Sequence, residues 1–153
     1  MPVSLTLPTD AEGLIPHRKP MRLVDRLVRC CETEARVEAD IAADNLLLDG
    51  EGRLDGAALL EFMAQACAAA RGYRDLSADS PVKKGFLVGA RRLHVLATAR
   101  VGDRLQIDVV TVGALDGFSI VDGEIRRDGT LIATGTLKLW VTDEADPPPG
   151  AAS

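Results

Sequence analysis

The stretch Ala57–Ala70 reads AALLEFMAQACAAA, and only Glu61 and Gln65 among its fourteen positions are polar. A helix that is apolar around nearly its whole circumference belongs inside a fold. Its many alanines suit close wrapping by a curved sheet, because small side chains let backbones approach. Leu54–Tyr73 is therefore expected as one helix, with Asp55 as N-cap and Gly72 as the stop. The flanking sequence is strand-like. Glu34–Ala42 alternates Ala35, Val37, Ala39 and Ile41 with charged residues, a period of two with one dry face. Met21–Glu32 is ambiguous between helix and strand, and Pro16 and Pro20 favour an extended lead-in. Phe86–Val88 and Leu93–Leu96 read as two short apolar pieces. Arg104–Leu115, Phe118–Arg126 and Leu131–Val141 are joined by Asp116–Gly117 and Asp128–Gly129, both strong hairpin signals. The expected order is strand, strand, helix, then four strands. This is an α+β fold in which an antiparallel sheet wraps around one long central helix.

With 153 residues, one domain is the natural count, and it is large enough for a sizeable core. We expect a single domain over residues 1–141 and a disordered, proline-rich tail over 142–153, where three consecutive prolines sit among small residues. The net charge of −5 and an aromatic content of 3% weigh against nucleic-acid binding. Cys30, Cys31 and Cys67 form no disulfide framework, and His17 and His94 lie too far apart in sequence to suggest a metal site. Met1–Glu12 has neither the basic start nor the apolar core of a signal peptide, and no apolar run is long enough to span a membrane. The expected location is the cytoplasm.

A carboxylate on so apolar a helix demands a reason. Burying it unpaired is costly, and the usual escape is an upward pKa shift, which suits a general acid. The competing reading places Glu61 on a narrow wet stripe or beside an arginine. Gln65, four residues on, shares the stripe and either orients Glu61 or is a satisfied core amide.

These residues also carry a resemblance. Leu14–Arg26, LIPHRKPMRLVDR, resembles the LPHRxPxLLVDR segment of FabZ-type 3-hydroxyacyl-carrier-protein dehydratases. Leu60–Ala66, LEFMAQA, resembles their central-helix LEAMAQA, and Gly102–Asp103 matches their PGD turn. The likeness spans residues 14–141. It is closer still to divergent dehydratase-like proteins of aryl polyene biosynthesis clusters, which share a GFLxGxRR segment, here Gly85–Arg92. The resemblance implies a hotdog fold, a dimer with sites at the subunit seam, and an acyl carrier protein as partner. The substrate would ride on the carrier's phosphopantetheine, with no other cofactor. One departure stands out: where FabZ-type enzymes carry the histidine of GHFPG, this sequence has Leu47.

Dehydration of a 3-hydroxyacyl thioester needs a base, an acid and donors for the developing enolate oxygen. Glu61 carries over from the resemblance as the acidic residue. His17 is the candidate base, although in the FabZ pattern the matching histidine is not the catalytic one; otherwise it is a locally bonded loop residue and a partner's histidine is the second group. Gly56 and Ala57 could offer backbone N–H groups at the helix start, or could simply follow a turn. Arg18, Arg91, Arg92 and Arg26 could rim the site for a phosphopantetheine arm or an acidic carrier, or could be solvated, with Arg26 paired to Asp25. His94 reads as structural. The leading expectation is a dehydratase of fatty-acid-like or aryl polyene biosynthesis, as a homodimer or as a heterodimer with a FabZ-like chain. The alternatives are a non-catalytic or half-site subunit of such a heterodimer, a hotdog acyl thioesterase, and an acyl-binding module without chemistry.

Overall fold

The computed structural model describes residues 5–81 and 83–142. The elements in chain order are β1 (Thr9–Asp10), a 3-10 turn at Ala11–Gly13, β2 (Arg26–Cys30), β3 (Glu34–Asp40), α1 (Ala58–Ser77), β4 (Lys84–Val95), β5 (Arg104–Leu115), β6 (Phe118–Arg127) and β7 (Thr130–Thr142). All strands join one antiparallel sheet in the order β1-β2-β3-β5-β6-β7-β4. The alternation read from the sequence sets its dry face. Leu27, Val37, Ile107, Ile125 and Ala133 pair in turn across five strands, and all five are fully buried. Leu59, Phe62, Met63, Ala66 and Ala69 of α1 complete that core. Both Asp–Gly turns have two consecutive positive φ angles, 52° and 83° at Asp116–Gly117 and 51° and 79° at Asp128–Gly129, as tight hairpins of this twist require.

Several expectations are corrected. The helix runs Ala58–Ser77 rather than Leu54–Tyr73. Asp55 is not its N-cap; the Asp55 carboxylate instead accepts the Ala57 N–H at 2.8 Å, two residues on. Gly72 does not stop the helix. A Cβ on Gly72 would lie 2.0 Å from the Leu14 carbonyl oxygen, so this glycine lets the N-terminal loop lie against α1. The two short pieces after Pro81 form one twelve-residue strand, β4. Its register shifts between Leu87 and Gly89 and between Arg91 and His94, with Arg92 at φ 56°, and those interruptions break the period in the sequence. The two-residue β1 was not expected. Thr142 still belongs to β7, and the rest of the expected tail, 143–153, lies outside the described residues.

The helix is not buried all round. Leu59, Phe62, Met63, Ala66 and Ala69 are buried, but Glu61, Ala64, Cys67 and Ala68 are partly open, because that side of α1 lines a cleft. No helix among the described residues is long and apolar enough to cross a membrane.

Candidate active site

The cleft has a volume of about 470 Å³ and lies between one face of α1 and the sheet. Ala64 and Ala68 on the helix, and Val109, Val121, Leu139 and Val141 on β5, β6 and β7, form much of its wall. Small residues on the helix leave the room that larger ones would fill.

Glu61 and His17 meet in this cleft, with His17 Nε2 4.0 Å from Glu61 Oε1. They are 44 positions apart in sequence, and Gln65 brings them together. Gln65 is 1% exposed. Its Oε1 accepts the Leu23 N–H at 2.7 Å, while its Nε2 donates to the Met21 carbonyl at 2.8 Å and to Glu61 Oε1 at 3.0 Å. Both N–H donors and the amide oxygen are thereby engaged, which leaves the amide one orientation. One side chain thus holds the loop that follows His17 against the helix and fixes one carboxylate oxygen. His17 Nδ1 is buried with no hydrogen-bond partner among the described residues.

The expectation that Glu61 is sunk in the core is corrected. Its side chain keeps 43% of its exposure, against 33% for His17, because the cleft opens beside both. Its stripe is a wall rather than an interior.

The arginines separate. Arg18 donates from Nη1 to the Ile15 and His17 carbonyls at 2.8 and 2.9 Å. It braces the loop and does not line the cleft. Arg91 lies on β4 opposite Thr136, exposed, over a shallow depression shared with Lys138. Arg92 is exposed on the same strand. Arg26 pairs with Glu38 at 3.0 Å and Asp40 at 3.2 Å, not with Asp25, which instead faces Arg22 at 3.4 Å. Gly56 and Ala57 precede α1 outside the cleft; the Ala57 N–H is taken by Asp55, and a Cβ on Gly56 would lie 2.9 Å from Val95. His94 is exposed on β4 opposite Thr134, away from the cleft.

Sequence reasoning missed the far end of the cleft, where Arg71, Arg74 and Lys83 contribute to the wall. Arg71 was in reach of helical periodicity. Glu61, Ala64, Ala68 and Arg71 share one stripe at spacings of three and four. Cys67 also touches the cleft, but burial pushes its thiol up to about 12, against the opposing pull of Arg74 and Arg71. It stays protonated near neutral pH and is no nucleophile.

The ApeP dehydratase family model matches residues 9–147. The 3-hydroxyacyl-[acyl-carrier-protein] dehydratase FabZ of Myxococcus xanthus is 30% identical over 147 residues, covering 92% of this chain and 95% of that protein. In fold, the chain is similar to the dehydratase heterocomplex ApeI:P from Xenorhabdus doucetiae, with TM-score 0.83 and 23% identity over 89% of this chain and 93% of that one. A hypothetical thioesterase from Streptococcus pneumoniae TIGR4, solved with coenzyme A, shares the fold at TM-score 0.61 and 15% identity, over 78% of this chain and 87% of that one. The antiparallel sheet around one helix is thus a hotdog fold, and the chain belongs to the ApeP-like dehydratase family.

Proposed function

We propose that this chain removes water from a 3-hydroxyacyl thioester held on an acyl carrier protein, giving the 2-enoyl thioester. The observation that carries this reading is the His17–Glu61 pair, 4.0 Å apart in an apolar cleft. In the proposed step His17 takes the proton from the carbon beside the carbonyl. The electron pair forms the new double bond, and the hydroxyl leaves as water with a proton from Glu61. Glu61 Oε1 accepts from Gln65, so the transferable proton belongs on Oε2. His17 then loses its proton to solvent water and Glu61 regains one from it, since the cleft is open beside both side chains, and the site is reset. The apolar walls beside the pair suit the acyl chain of such a substrate.

The chain has Leu47 where the resemblance calls for a second histidine, and Leu47 lies outside the cleft that holds Glu61. We therefore infer that it works as a heterodimer with a second, FabZ-like dehydratase chain, as the name of the Xenorhabdus heterocomplex suggests for that protein. The setting proposed is fatty-acid-like or aryl polyene biosynthesis in the cytoplasm. Mass spectrometry of a 3-hydroxyacyl carrier protein, incubated with the chain alone and then with a co-expressed FabZ-like partner, tests both statements. Loss of one water from the acyl group supports dehydration. Release of free carrier thiol with the hydroxyl retained would make the chain a thioesterase instead. Full turnover by a homodimer would overturn the pairing.

A further inference from the structure

Arg71 is the unexplained charge of the cleft. It is half-buried beside apolar walls, yet no hydrogen bond or ion pair engages its guanidinium among the described residues. Its neighbour differs: Arg74 donates to the Cys31 carbonyl at 3.0 and 2.7 Å and so staples the β2–β3 turn. A half-desolvated guanidinium without a partner is poorly placed for stability and well placed for binding an oxyanion, which it can grip with two parallel donors. Arg71 follows Glu61 by ten residues on the same stripe, a rise of about 15 Å along α1. Ala64 and Ala68 lie between them, so the path from carboxylate to guanidinium is lined by small apolar groups. Thr111 and Ser119 add hydroxyls to the cleft wall from β5 and β6.

We propose that Arg71 is a specificity-determining residue: it binds an oxyanion on a ligand laid along α1 with its reacting carbon at Glu61. The inference rests on the dehydration reading for that end of the ligand. Two parts of a carrier-bound thioester could bring such an oxyanion. One is a carboxylate at the distal end of the acyl chain; the other is the phosphate of the carrier arm. The apolar walls fit the acyl chain better than the arm with its amides.

The test is calorimetric titration of the full chain, and of its complex with a partner, with three thioesters: decanoyl-pantetheine, its ω-carboxy analogue, and decanoyl-phosphopantetheine. We expect the ω-carboxy probe to bind about tenfold more tightly than decanoyl-pantetheine. Arg71→Met should abolish that preference and Arg71→Lys should keep part of it. Should Arg71→Met fail to fold, Arg71→Gln carries the same comparison. An Arg71-dependent preference for the phosphopantetheine probe alone supports the oxyanion site and assigns it to the carrier arm. Equal binding of all three probes, or preferences indifferent to Arg71, overturns the proposal. Binding is read without turnover, so the two readings fail separately. Arg71-dependent binding with no loss of water from any 3-hydroxy probe would remove the dehydration reading and leave the subsite standing.

Discussion

Single residues do unequal work in this site. Gln65 spends its amide on three bonds that join loop, helix and carboxylate. Gln65→Leu would leave the buried Leu23 N–H without its partner, at about 1–3 kcal/mol, and would release the carbonyl of the exposed Met21. The expected result in urea denaturation is a loss of about 1–3 kcal/mol, with dehydration falling as Glu61 loses its fixed orientation. A variant as stable as the parent would show the bonds to be dispensable. The cysteines make a second residue-scale prediction. Burial raises Cys30 and pushes Cys67 up to about 12, whereas Cys31 is exposed. Iodoacetamide near neutral pH should label Cys31 first and Cys67 last. Peptide mapping that finds Cys67 modified as fast as Cys31 would contradict the assignment of an inert thiol.

At the scale of elements, the site depends on how closely the N-terminal loop lies on α1. Gly72→Ala would gain about 1 kcal/mol of helix propensity. The added Cβ, however, would sit 2.0 Å from the backbone oxygen of Leu14, which no rotamer change can relieve. The clash wins: the variant should lose about 1–3 kcal/mol and melt at lower temperature. The loop it displaces carries His17, so turnover should fall as well. Gly123 is the control. A Cβ there meets Met63 Sδ at 2.7 Å, a side-chain atom rather than backbone, and Gly123→Ala should cost less. Asp40 links three strands, through Arg26 of β2 and Arg104 of β5. The hydrogen bond from Arg104 is the main reason its carboxyl lies below the usual carboxylate range, with burial opposing and Arg26 assisting. A carboxyl lowered in the folded state adds stability above its unfolded value of about 3.9 and loses it as pH falls through the lower folded value. Arg104→Gln should therefore flatten the acid-side decline in melting temperature below about pH 4. An unchanged acid limb would place the linkage elsewhere.

For the whole molecule, the period-two runs and the Asp–Gly turns of β5–β7 were legible because a single buried face dictates alternation. The central helix was legible because AALLEFMAQACAAA has no polar face. Its ends were not, because Gly72 answers to Leu14, 58 positions away in sequence. The strand β4 looks like two pieces in the sequence because its irregularities at Gly89 and Arg92 break the alternation. Within the site, Glu61 and Gln65 stood out as the only polar groups in the stretch Ala57–Ala70. The cleft did not, since a wall of alanines reads the same as a core of alanines. Arg71 hid as an ordinary charge near a helix end.

The central claim is that Glu61 supplies a proton to the departing hydroxyl. Its direct measurement is single-turnover dehydration of a 3-hydroxydecanoyl carrier protein by Glu61→Gln. The variant is assembled with a partner whose own helix carboxylate has been removed. The expected result is a fall of about a hundredfold or more, with circular dichroism and melting unchanged. Undiminished turnover by a correctly folded Glu61→Gln complex would contradict it.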